Sequence, residues 1–337
     1  MRKIYNDEVL KRVFNKYKQN LFSTRDFRLP KEALAALIAL PNRAQLYQLP
    51  NAKIDAYIGK IINEYEAIIM ADQPKMITLI KEFGTIVAVS KIKKRFYEDI
   101  VRAMRYDALR EKEFIQMVQE LGIKTCVYCH AQLTLVIDKE YYKRNFPDIP
   151  ARKGDVRFRR ALLELDHRHP KSKYPFLSTT FYNLYPVCGS CNRIKSKNES
   201  TFDLYCDHKD VEVFRFSLDK DSVIDCLTKK DKSLIKISIN WLNINDDDAK
   251  KYLNMFDIQQ IYDTQKDIIE ELLHKKVVYN DKYKKELHDE FRLLFPDPSM
   301  VNRLIIGNYD QPEDVLKRPM AKFVQDIARD IELIPKI

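Results

Sequence analysis

The chain has 337 residues, 45% of them hydrophobic, and a net charge of +10 at pH 7. That length suits two or three domains, and that composition suits an ordinary globular protein. No apolar run approaches the roughly 18 residues of a membrane helix, and Met1–Glu8 lacks the apolar stretch of a secretory signal, so a cytoplasmic location with reduced thiols is expected.

The first 122 residues read as an all-helical region. Only six glycines occur in the whole chain, which favours helix. Apolar residues recur at helical spacing over 6–20, 31–40, 52–71 and 75–121. In the last of these, Ile100/Met104 and Phe114/Val118/Leu121 share a face, and Gly122 follows where a C-terminal cap would sit. Breaks are expected near Pro30, Pro41, Pro50 and Pro74. Lys91, Lys93, Lys94 and Arg95 read as a solvated helix face.

The segment 123–205 changes character. Leu133–Ile137 is a short apolar strand, 141–160 a long loop, and Val156–Asp166 a second strand. A helix restarts at Asn192. The stretch 139–160 interleaves Lys139, Lys143, Arg144, Arg152, Lys153, Arg157, Arg159 and Arg160 with Tyr141, Tyr142, Phe146 and Phe158. Phosphate contact with base stacking explains that mixture, and so does a solvated loop with a few packed rings.

Residues 206–337 read as short strands, then helices. Val211–Leu218 and Leu234–Ile239 are expected as strands with an extended connection, and 246–275, 281–295 and 312–333 as helices. Trp241 is expected to pack in the core, and Cys206 and Cys226 to be small buried apolar residues. The three regions differ in charge: 1–125 carries +8, 126–200 carries +7 and 201–337 carries −5. Positive charge is densest in the middle segment, as expected of a module that meets a polyanion.

That middle segment also holds the chemistry. Cys126-Val127-Tyr128-Cys129 and Cys188-Gly189-Ser190-Cys191 are two Cys-x-x-Cys pairs. Two intervening residues let both sulfurs face one tetrahedral Zn²⁺, and four thiolates leave no open coordination position. The expected zinc is therefore structural. Between the pairs lie Asp166-His167 at a strand end and Asn183 in the following connection. Asn192 comes directly after the last Cys, with Lys195 three residues later on the same helix face. Together these describe a strand–loop–strand–helix unit with one metal between its first strand and its helix.

Here the chain resembles the HNH endonuclease family and its ββα-metal fold. The family pattern D/E-H-x-x-P, N-L, C-x-x-C-N-x-x-K is matched by Asp166-His167-Arg168-His169-Pro170, by Asn183-Leu184, and by Cys188-Gly189-Ser190-Cys191-Asn192-Arg193-Ile194-Lys195. The resemblance covers about 80 residues and implies a fold class: a mostly helical α+β chain with a central zinc-bound HNH module over 123–205, flanked by 1–122 and 206–337. It implies His167 as general base, and Asp166 and Asn192 as oxygen ligands of a catalytic Mg²⁺ or Mn²⁺. An imidazole of ordinary pKa near about 6.5 suits the base role. Asn183 would fix the loop and orient His167. Lys195, Lys197 and Arg168 would meet phosphate. His169 stays open between a metal ligand, a group supporting the ligands and a phosphate contact, and Glu199 is a further candidate to approach the metal.

The run His167-x-x-Pro170-Lys171-Ser172-Lys173-Tyr174-Pro175 narrows the resemblance to the PtuB-like nucleases of Septu and retron antiphage systems. Asp166 stands where that subgroup carries Glu, Arg168-His169 where it carries Phe-Arg, and a long helical region precedes the zinc module. The subgroup implies an ATPase or other defence-system partner. The expected activity is metal-dependent hydrolysis of nucleic-acid phosphodiesters, DNA favoured over RNA. Two rival readings remain: a non-catalytic zinc module that binds nucleic acid, and an effector idle until a partner docks on the acidic C-terminal region.

Overall fold

A computed structural model describes residues 2–84, 86, 91–139, 158–242 and 245–336. It is 55% helix and 11% strand, which agrees with a mostly helical α+β chain. Among the described residues no helix is long and apolar enough to cross a membrane.

Two units partition the chain. One gathers Met1–Ile4, Gly122–Leu135 and His208–Ile337; the other gathers Tyr5–Leu121 and Val136–Asp207. This differs from three consecutive domains. The segment after Gly122 joins the C-terminal region because its backbone is bonded there. The Lys124 amide donates to the Leu316 carbonyl (2.8 Å), and the Met320 amide to the His130 carbonyl (2.8 Å). The Tyr262 hydroxyl donates to the Cys129 carbonyl (2.8 Å).

In the second unit the helices are shorter than the periodicity suggests. The expected run over 75–121 is divided into Gln73–Phe83, Lys91–Ala103, Tyr106–Glu111 and Glu113–Glu120. Gly84 (φ +59°) and Arg105 (φ +62°) take left-handed backbone, which ends a helix. The prolines mark starts as much as breaks: Pro30 opens Pro30–Ile38, and Asp72 caps Gln73–Phe83 by accepting from the Lys75 amide at 2.9 Å.

These helices enclose a hairpin. Strand Glu164–His167 pairs antiparallel with Leu184–Val187, so that Asp166 lies opposite Tyr185 and His167 opposite Leu184. The connection between the strands is packed. Phe176 stacks on Phe83 with centroids 4.2 Å apart, and Phe181 meets Phe14 at 5.2 Å and Tyr17 at 5.3 Å. The Tyr17 hydroxyl donates to Thr179 O at 2.7 Å, and Thr180 Oγ1 to Ile68 O at 2.9 Å. Both phenylalanines are fully buried, each contributing about 1.5–3 kcal/mol by burial. The helical region thus fixes the loop that carries the motif.

Helix Gly189–Lys195 follows the second strand. It begins three residues before the expected start at Asn192, because Cys188 is its N-cap and its sulfur accepts from the Cys191 amide at 3.5 Å.

The first unit is built on a second antiparallel pair, Phe214–Leu218 with Ile237–Trp241. Their connection is helix Lys220–Lys229, where an extended stretch was expected. Asp219 nucleates it by accepting from the Ser222 amide at 2.9 Å. Helix Ala321–Asp330 lies on the first strand of the pair. Asp326 accepts from the Phe216 amide (3.0 Å) and Asp330 from the Leu218 amide (2.8 Å). Phe216, Tyr262 and Phe323 form the aromatic centre. The expected helix over 246–275 is split at Asp257 (φ +49°) and again before Lys266. Trp241 is half-buried, its ring 5.2 Å from Phe214. Cys226 is buried, and Cys206 less so.

Candidate functional site

The four motif cysteines come together. Cys126, Cys129, Cys188 and Cys191 are buried, and their sulfurs lie within 4.8 Å of one another. This cluster can hold a metal ion. Its first pair is shaped by local backbone: the His130 amide donates to Cys126 O and the Cys126 amide to Gln132 O, both at 2.9 Å. His130 itself takes φ +54°, closing the turn after Cys129.

A cavity of about 1070 Å³ lies in the unit that holds the hairpin. Asp166, His167 and Asn192 all line it. His167 is 3% exposed, and its Nε2 sits 3.0 Å from the Ser178 carbonyl oxygen. A carbonyl only accepts, so Nε2 carries the hydrogen and Nδ1 of the neutral ring keeps its lone pair. Burial, with the Lys171 ammonium adding to it, lowers the His167 pKa to about 3. The ring is therefore neutral at physiological pH, and its basicity lies well below the ordinary value of about 6.5 expected for the base role, because it is buried and faces the Lys171 ammonium.

Asn183 is fully buried and ties the loop. Its Oδ1 accepts from the His169 amide (2.7 Å), and its Nδ2 donates to His169 O (3.1 Å) and Leu177 O (3.0 Å). Ser178, which holds His167, is the next residue. Asn192 donates through Nδ2 to the Glu164 carboxylate.

The residues expected at the phosphate divide. Lys197 and Arg193 are exposed and line the cavity. Lys195 has no exposed side-chain surface. Its ammonium donates to Asp166 Oδ1 at 3.0 Å and to His167 O at 2.7 Å. It is an internal tie between helix and strand, since three residues from Asn192 on a helix point it at the strand beneath. Arg168 turns to Asp203 (2.9 Å) and is absent from the cavity lining.

His169 is 4% exposed, with Nδ1 3.2 Å from Glu199 and Nε2 3.0 Å from Gln73. Both ring nitrogens are engaged, so it is neither a ligand nor a phosphate contact in this arrangement. Burial lowers its pKa. Turning the Gln73 amide lets Nε2 of Gln73 donate to the neutral ring and satisfies an amide nitrogen that otherwise has no partner. Glu199 is spent on His169 and on the Tyr174 hydroxyl (3.0 Å). Lys94 and Arg95 pair along their helix with Glu98 and Asp99, while Lys94 also reaches the cavity. The basic and aromatic stretch 139–160 falls largely on 140–157, outside the described residues.

Several lining residues were not singled out by motif. Tyr106 and Arg110 come from the helical region some sixty residues before the Asp-His pair, where only their i,i+4 spacing marked a shared face. The Tyr106 ring lies 5.1 Å from His167, and the Lys171 Nζ stands 4.4 Å over that same ring. Glu164 lies two residues before Asp166, on the same strand face.

No family model, curated protein or solved structure matches this chain.

Proposed function

We propose that this chain is a metal-dependent endonuclease of the HNH type, hydrolysing phosphodiester bonds in nucleic acid, DNA in preference to RNA. The observation that carries the reading is the shared cavity: a carboxylate, a carboxamide and a neutral imidazole held by a backbone carbonyl all line one opening.

The cysteine cluster suits Zn²⁺, whose tetrahedral thiolate sites need sulfurs at about this mutual spacing. For a catalytic cation the donor set also fits. Asp166 and Asn192 offer hard oxygens of the kind Mg²⁺ and Mn²⁺ take. Asn192 spends Nδ2 on Glu164, which leaves Oδ1 for an ion. When bound, such an ion supplies positive charge to the phosphate and to the departing oxygen.

The chain's own groups do the rest. Nδ1 of His167 accepts a proton from water as the water oxygen bonds to phosphorus. The P–O3′ bond breaks, and the 3′ oxygen takes a proton from solvent. The products are a 5′ phosphate and a 3′ hydroxyl. Ser178 O and Asn183 keep the imidazole aimed, and Lys197 and Arg193 offer charge to neighbouring phosphates. A role as effector of an antiphage system, with an ATPase partner, rests on the resemblance of the 166–195 segment to PtuB-like nucleases.

The test is cleavage of supercoiled plasmid with Mg²⁺ or Mn²⁺, comparing wild type, wild type with EDTA, and His167→Ala. Cutting by wild type alone supports the reading. Equal cutting by His167→Ala removes the assigned base. Binding without any cutting by wild type favours the non-catalytic zinc module.

A further inference from the structure

Lys171 is a half-buried cation of this cavity, and among the described residues it is the one whose ammonium shares a ring with His167. Lys195 and Lys94, by contrast, hold Asp166 and Glu98. Among the described residues no carboxylate pairs with Lys171; its Nζ stands 4.4 Å over the Tyr106 ring. The position is fixed from both ends. At the backbone, the Lys173 and Tyr174 amides both donate to Pro170 O at 2.9 Å, closing a tight turn around Lys171. At the tip, Tyr106 is 4% exposed and its ring also packs on His167, 5.1 Å between centroids. One aromatic ring thus carries both the imidazole and the ammonium.

Taking an ammonium out of water is unfavourable, and here a ring face and the more distant Asp166 and Asp107 carboxylates offset only part of that cost. Burial accordingly pulls the Lys171 pKa down.

We propose that Lys171 is a catalytic residue that donates to a non-bridging oxygen of the scissile phosphate. This rests on the nuclease reading above. During attack, negative charge grows on those oxygens, so a fixed ammonium holds the transition state more strongly than the substrate. Bond making and breaking are those already described, and Lys171 transfers no proton.

The experiment compares wild type, Lys171→Met, Lys171→Arg and His167→Ala, each checked by thermal melting and zinc content. Lys171→Met keeps the chain length over Tyr106 and removes the charge; Lys171→Gln replaces it should the Met variant melt early. Plasmid cleavage is measured with Mn²⁺, and binding of a fluorescein-labelled duplex is measured in EDTA over a salt series. The expected result is a fall in kcat/KM of about 10- to 100-fold for Lys171→Met, mostly in kcat, with Lys171→Arg restoring most of it. The slope of log affinity against log salt should shrink by about 0.9, one phosphate contact. Wild-type cutting with unchanged Lys171→Met rates and slope overturns the role of Lys171 and leaves the nuclease reading standing. Wild type as inert as His167→Ala overturns both.

Discussion

The Nε2 of His167 faces the carbonyl oxygen of Ser178 at 3.0 Å. This one contact selects a tautomer, because the carbonyl can only accept, and it leaves Nδ1 as the basic atom. Ser178 is in turn held by the loop that Asn183 ties through the backbone of His169 and Leu177. His167→Ala should therefore lower the cleavage rate by about 10²-fold, the low end of the usual worth of a general base, since its pKa of about 3 makes it a weak one. Duplex affinity in EDTA should be unchanged. A variant that loses affinity and rate together would place His167 in binding instead.

Lys195 and Asp166 form a buried pair whose removal should register as stability. The Lys195 side chain has no exposed surface, and that of Asp166 is 6% exposed. Lys195→Met removes the ammonium from this buried pair and should cost about 3–5 kcal/mol in denaturant unfolding. Lys197→Ala, two residues on and exposed, should stay within about 0.5 kcal/mol. Equal, small effects for the two would mean that Lys195 is not an internal tie.

Much of this arrangement was legible because it is written in local spacing. The Cys-x-x-Cys pairs come together, the strand carrying Asp166 and His167 pairs with Leu184–Val187, and the helix that follows carries Asn192. Burial was not legible. Lys195 and Lys197 read alike as charges after a helix start, yet one turns under the helix and the other toward the cavity. Helical periodicity also overran its limits, since it does not register single left-handed residues such as Arg105 and Asp257. The wall of the cavity supplied by Tyr106 and Arg110 depends on long-range packing, which no short pattern encodes.

The cysteine cluster predicts a fixed metal content. Purified protein should hold about one zinc per chain, as four thiolates at one site require. Elemental analysis after gel filtration measures it. Cys188→Ser should lower the occupancy and the melting temperature together. It also removes the sulfur that caps helix Gly189–Lys195, so Asn192 should lose its position, and cleavage should fall even at saturating Mn²⁺. A metal-free preparation with an unchanged melting temperature would contradict the site.

His169 should give the fold a pH dependence of definite sign. Its ring is enclosed by Glu199, Gln73 and the edge of Tyr174, with Arg168 and Asp203 nearby. Burial is the largest influence and holds its pKa below the ordinary value, with Arg168 acting the same way and Glu199 opposing. In the unfolded chain the ring titrates near about 6.5. Below that pH the unfolded state binds a proton that the folded state resists. This stability is therefore fully present above about 6.5 and is lost as pH falls toward the lower folded pKa. Glu199 acts in a more acidic window: burial raises its pKa, but hydrogen bonds from Tyr174 and His169 leave it below the usual carboxylate value. The melting temperature should thus decline from about pH 7 to about pH 5, where glutamates are still ionised. His169→Gln should flatten that decline while leaving the contribution of His167. If both proteins lose stability along parallel curves, the His169 ring is already charged in the fold, and the Gln73 amide oxygen faces an imidazolium.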